Sequence, residues 1–142
     1  MANALFDPGR EGFLVGEIDW DTATIKVALV RGYTFNAAHK FVSDVTGAGG
    51  TLHVTSSALA SKTFTSGVAD AADVALGTVT ANATNHNILI FQSSAVTGGA
   101  DVAATAQRLI GYIDTGTLVP IQPNGGTIDI TWDNGANKIF KL

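Results

Sequence analysis

The chain has 142 residues, 46% of them hydrophobic and only 14% charged, with eight basic and twelve acidic side chains and a formal net charge of −4. Those figures fit one domain, 1–142, large enough to bury a core without staples, and they lack the basic footprint that nucleic-acid binding requires. Cysteine is absent, which excludes disulfides and thiolate metal sites, and no apolar run reaches the roughly 18 residues of a membrane span.

The opening residues show no basic segment followed by an apolar core, so no secretion signal is expected. A helix or arm is predicted over residues 1–16. Asn3 is the candidate cap, Phe6, Phe13 and Leu14 are its apolar contacts, and Gly16 is its stop. Pro8, Gly9 and Gly12 make this helix weak on propensity, so packing must support it. Asp19-Trp20-Asp21 reads as a polar link carrying one large aromatic. From Thr24 to Val30 the chain alternates, with Ile25, Val27 and Leu29 on one face and Thr24, Lys26 and Ala28 on the other.

Phe35 to Val45 predicts a short helical or irregular excursion closed by the glycines of 47–50. Short strands follow at Leu52–Val54, at Lys62–Ser66 around Phe64, and at Asp73–Thr80. Asn87–Gln92 is apolar on both faces, which predicts a central strand covered on each side. Val96–Gly99 turns the chain, Asp101–Gln107 is a helical turn or loop, and Arg108–Asp114 is another strand. After the turn-rich connector Val119–Gly126, residues 127–142 predict a β-hairpin around Asn134-Gly135. The expected register sets Ile130 against Phe140, Ile128 against Leu142 and Asp129 against Lys141. The fold class is therefore mainly β, an antiparallel β-sandwich or small barrel with one or two short helices.

Reactive constellations are sparse. The pairs Asp19/Asp21, Asp70/Asp73 and Asp129/Asp133 read either as turn formers and solvated strand faces or as the carboxylates of a glycosidase or a calcium site. His39, His53 and His86 lack zinc spacing; His53 is expected to face solvent and His86 to lie in a loop. No G-x-S-x-G elbow and no P-loop is present. Trp20 and Trp132 read as structural rings, Trp132 in the core and Trp20 over a sheet edge, or as platforms for sugars. No catalytic residue, cofactor or metal is assigned.

Met1-Ala-Asn-Ala-Leu, Gly9-Arg10 with Phe13, Gly16-Glu-Ile-Asp-Trp20, Ile25-Lys-Val, Gly67-Val-Ala-Asp70, Leu109-Ile-Gly-Tyr-Ile-Asp-Thr115, Pro123-Asn-Gly-Gly126 and Ile130-Thr-Trp-Asp-Asn-Gly135 together resemble the small virion structural proteins encoded beside the capsid genes of tailed bacteriophages. Some of these serve as capsid cement or decoration. The resemblance implies a non-enzymatic protein on the capsid surface of the virion, made in the bacterial cytoplasm. Its implied partners are the major capsid protein and further copies of itself, as a homotrimer, with neither nucleic acid nor membrane. On that reading Phe6, Arg10, Phe13 and Trp20 are the expected partner contacts; the alternative is that the N-terminal segment around Phe6, Arg10 and Phe13 packs under its own sheet. The alternative to the capsid reading is a tail, neck or head-fibre component, or a receptor-binding module that uses Trp20 or Trp132 on host glycans.

Overall fold

The computed structural model describes residues 3–142; Met1 and Ala2, the first two residues of the predicted arm, lie outside the described residues. The molecule is mainly β. The strands among the described residues are β1 (Ala4–Leu5), β2 (Ile25–Arg31), β3 (Thr51–Thr55), β4 (Val68–Ala69), β5 (Val74–Thr78), β6 (Asn87–Gln92), β7 (Arg108–Ile113), β8 (Thr127–Ile130) and β9 (Phe140–Lys141). Two helices, α1 (Asp7–Val15) and α2 (Val42–Gly47), interrupt them. The strands form an open antiparallel sheet in the order β1-β7-β6-β2-β3 and two ribbons, β4-β9 and β5-β8.

As its two apolar faces predict, β6 is the middle strand of the five. Ile88 and Ile90 enter one core, and Leu89 and Phe91 enter the other. The neighbouring β2 is also buried on both sides: Ile25, Val27 and Leu29 join the first core, while Ala28 and Val30 join the second. Ala69, Val74, Ile130 and both tryptophans pack into the first core, so the ribbons cover that face of the sheet. Phe6, Tyr33, Val42, Val45 and Tyr112 belong to the second.

Helix α1 forms where predicted, but by another device. Phe6, not Asn3, is its N-cap, Pro8 sits in its first turn, and Gly16 ends it in the left-handed conformation (φ 75°). Asn3 instead accepts the main-chain N–H groups of Asp114 and Thr115, both at 3.0 Å, stitching the entry of the chain to the end of β7. Gly9 and Gly12 are buried, because α1 lies directly on β7. A Cβ on Gly9 would meet the carbonyl oxygen of Leu109 at 2.8 Å. The same glycines that weaken the helix permit the packing that holds it.

The predicted terminal hairpin does not form. β8 pairs with β5, matching Val74 to Ile130 and Thr78 to Thr127, and β9 pairs with β4, matching Ala69 to Phe140 and Val68 to Lys141. The cause is Trp132. Its main-chain N–H donates to the Asp73 carboxylate (2.9 Å) and its indole N–H to the Ala72 carbonyl (3.2 Å), drawing the chain out of the strand line just after Ile130. Gly135 does not carry the left-handed turn; within 131–139 that conformation falls on Lys138 (φ 45°). The strand expected at Lys62–Ser66 is also absent, being reduced to a single bridge, Thr63 to Asp70. Ser66 and Gly67 are left-handed, at φ 58° and 75°, and divert the backbone into the 3₁₀ turn Thr65–Gly67.

Candidate interaction surfaces

The sequence-predicted contact residues separate into buried and accessible ones. Phe6 is 0% exposed, within the second core and 5.0 Å from the ring of Phe35. Trp20 is also buried; its ring stands edge-on to Phe140 at 5.1 Å and its indole donates to the Asp70 carbonyl. Phe13 is half-buried, 5.8 Å from the same Phe140 ring. Arg10 alone of the four is exposed, and its guanidinium donates to Asp7 and to the Leu5 carbonyl. Trp132 is buried as well, so neither indole presents its face to solvent as a sugar platform must.

Beside these residues lies a surface that composition did not reveal. Leu14 and Val15, at the end of α1, are 87% and 67% exposed, although Leu14 is an apolar contact in the sequence reading. Phe64, carried out by the 3₁₀ turn, is 57% exposed. It shares a shallow depression of about 420 Å³ with Phe13, Gly16, Ile18, Trp20 and Val96; Leu14 and Val15 do not line it. An exposed phenylalanine beside a depression lined by apolar side chains is a candidate interaction surface. Asp19 and Asp21 close one side of the depression. The Thr22 hydroxyl and N–H, both donating to the Asp19 carboxylate, hold its pKa below the ordinary carboxylate value. The rim therefore stays anionic and suits a basic partner residue.

A second feature is a trench between the sheet and the ribbons. One cavity of about 420 Å³ touches Arg10, Gly111 and Lys141, and it shares Asn3, Ile113 and Ile139 with a cavity of about 320 Å³. That cavity in turn shares Ile88, Val119 and Ile130 with a third of about 480 Å³ along β8. The first and third share no wall, so the three run in line.

The remaining candidates are built into the fold. Asp70 pairs with Lys138 at 2.6 Å, and Asp73 accepts the Trp132 N–H. Asp129 and Asp133 do not share one strand face, because β8 ends between them at Ile130. Among the described residues no group of three or more His, Cys, Asp or Glu side chains gathers, and no helix is long and apolar enough to cross a membrane.

Two histidines are more enclosed than their sequence setting shows. His86 lies outside the strands, just before β6, yet it is fully buried and exchanges main-chain bonds with Ile121. His53 is half-buried, its ring 4.8 Å from that of His86. Burial, the His53 ring and the Arg31 guanidinium lower the His86 pKa from 6.5. Unfolding restores the ordinary value, so the unfolded chain takes up a proton that the native one refuses. Stability is then full above about pH 6.5 and falls as the pH drops toward the native value. Asp19, Asp44, Asp70 and Asp101, held below 3.8, stay ionised across that window. Thermal midpoints measured from pH 7.5 to 5 are expected to decline below 6.5; a flat profile would contradict the assignment.

Set against known protein families, curated proteins and solved structures, the chain matches none of them.

Proposed function

We propose that this chain is a non-enzymatic structural protein of a tailed-phage virion that binds the outer capsid surface and stabilises the shell by bridging its subunits. The sequence resemblance supplies the class of partner. The observation that carries the reading is the exposure of Leu14 and Val15 at the end of a helix packed on β7 through Gly9 and Gly12, with Phe64 exposed separately before the 3₁₀ turn. A rigid helix that leaves two aliphatic side chains in water offers a preformed contact with little ordering cost on binding.

Fully burying such side chains is worth roughly 1.5–3 kcal/mol each. Modest contacts of this kind suffice where a protein binds in many symmetry-equivalent copies. Assembly as a homotrimer would multiply them, since each further contact becomes intramolecular once the first has formed. A footprint near 800 Å² per partner is the usual scale of a stable interface.

Cryo-electron microscopy of the intact virion tests the reading, and density for this chain on the tail alone would overturn it in favour of the tail or fibre alternative. On the protein itself, the double substitution Leu14→Asp with Val15→Asp is expected to leave the thermal midpoint within a few degrees of wild type. The same change should reduce capsid occupancy at least tenfold in a sedimentation assay. Full occupancy by the double variant would remove the α1 face from the interface.

A further inference from the structure

We propose that the trench receives an extended segment of the shell protein, added as a new strand along the free edge of β8; the inference rests on the capsid reading above. Among the described residues β8 pairs with β5 alone, and no other main-chain bond reaches Thr127–Ile130. The cavity of about 480 Å³ is lined by all five residues from Thr127 to Thr131 and by no residue of β5. Successive strand side chains point to opposite faces, so a cavity that touches five in a row follows the strand's edge rather than one face. It therefore lies on the side of β8 where N–H and C=O groups lack a strand partner. An open edge of this kind is a template for an incoming strand.

The opposite wall is fixed. Thr117, Leu118, Val119 and Ile121 form it, and the His86–Ile121 main-chain pair, 2.8 Å in both directions, ties it to the start of β6. Between these walls the floor is Ile88. An entering chain would bond to β8 through its backbone and place every second side chain against this apolar surface. The occupant is accordingly extended, with apolar residues at alternate positions.

Charge gives its direction. Asp129 stands at the β8 end of the trench, while Arg10 and Lys141 stand at the other. A segment that is basic where it meets Asp129 and acidic where it meets Arg10 is the complementary one. Leu118 marks the entrance: it is 86% exposed and held at a left-handed φ of 62°, at the tip of the turn closed by the Gly116–Val119 bridge. A strand entering the trench would cover it.

The test is hydrogen exchange on the full-length protein, free and bound to capsids stripped of it. Those amides of 127–131 that point away from β5 are expected to exchange at least tenfold more slowly in the bound form. Leu118→Asp is expected to lower capsid occupancy at least tenfold with an unchanged thermal midpoint. Bound protein with unaltered exchange at 127–131 overturns the strand addition while leaving the capsid reading intact. Slowed exchange without capsids, increasing with protein concentration, assigns the trench to a second copy of this chain and overturns it too. Failure to associate with capsids at all removes the parent reading and this inference together.

Discussion

Replacing Phe6 by alanine is expected to cost roughly 3–5 kcal/mol of folding stability, the range for truncating a buried phenylalanine. The ring is wholly inaccessible and belongs to the core built from Leu89, Phe91, Leu109 and Tyr112, with the Phe35 ring tilted against it. Its backbone N–H is committed as well, donating to the Ile110 carbonyl at 3.0 Å. Removing the ring leaves a hole that the fixed strands on either side cannot collapse to fill. Against a typical total of about 5–15 kcal/mol, the loss is a large fraction. Urea unfolding of Phe6→Ala beside Arg10→Ala separates the alternatives, since Arg10 is exposed and its removal is expected to change stability by less than about 0.5 kcal/mol. A Phe6→Ala protein as stable as wild type but deficient in capsid association would return this residue to the partner surface.

Gly9→Ala is expected to destabilise, where helix propensity alone forecasts a gain of nearly 1 kcal/mol. The added methyl would stand 2.8 Å from the Leu109 carbonyl oxygen, 3.1 Å from that of Ile110 and 3.3 Å from the Ile110 Cα. All three obstacles are main-chain atoms of β7, which pairs with β6 on one side and is held on the other by the Phe6 N–H on the Ile110 carbonyl and the Leu109 N–H on the Lys40 carbonyl. Forcing α1 off the sheet costs about 1–3 kcal/mol by the usual price of overpacking. It also disturbs Arg108, whose buried guanidinium reaches the Pro8 carbonyl and the Glu17 carboxylate from beneath the helix. Gly47→Ala supplies the control, because nothing lies within 4 Å of its missing Cβ. The sign of the Gly9 effect decides the matter: a stabilised Gly9→Ala protein would mean that α1 does not press on β7.

Where the sequence was legible, the reason is local. The double apolar face of residues 87–92 needs cover on both sides, and only a central strand has it. Gly16 as a helix stop follows from its freedom to take a positive φ. The terminal hairpin was misread because strand pairing is decided by the whole chain. Ile128 and Ile130 have suitable partners in Phe140 and Leu142, but Val74 and the polar grip of Asp73 on Trp132 offer better ones. Phe6 is ambiguous because the sequence sets it inside a helix capped by Asn3, whereas the helix begins at Asp7 and the Phe6 ring enters the second core. His86, flanked by Asn85 and Asn87, reads as loop, and its burial follows only once Ile121 is brought beside it. The trench had no signature at all. Its walls come from residues 3–10, 88–90, 111–121, 127–133 and 137–141, which no pattern along the chain connects.

Trp20 and Trp132 come from opposite ends of the chain, yet their indoles close on neighbouring carbonyls, Asp70 and Ala72. Both of the protein's strongest fluorophores thus watch the same few peptide units. Neither is placed among the second core, where Tyr33 and Tyr112 meet edge-on at 5.6 Å. The two kinds of ring give the molecule separate optical addresses: indole emission follows the ribbons as they lift from the sheet, and phenol absorbance follows the opposite side.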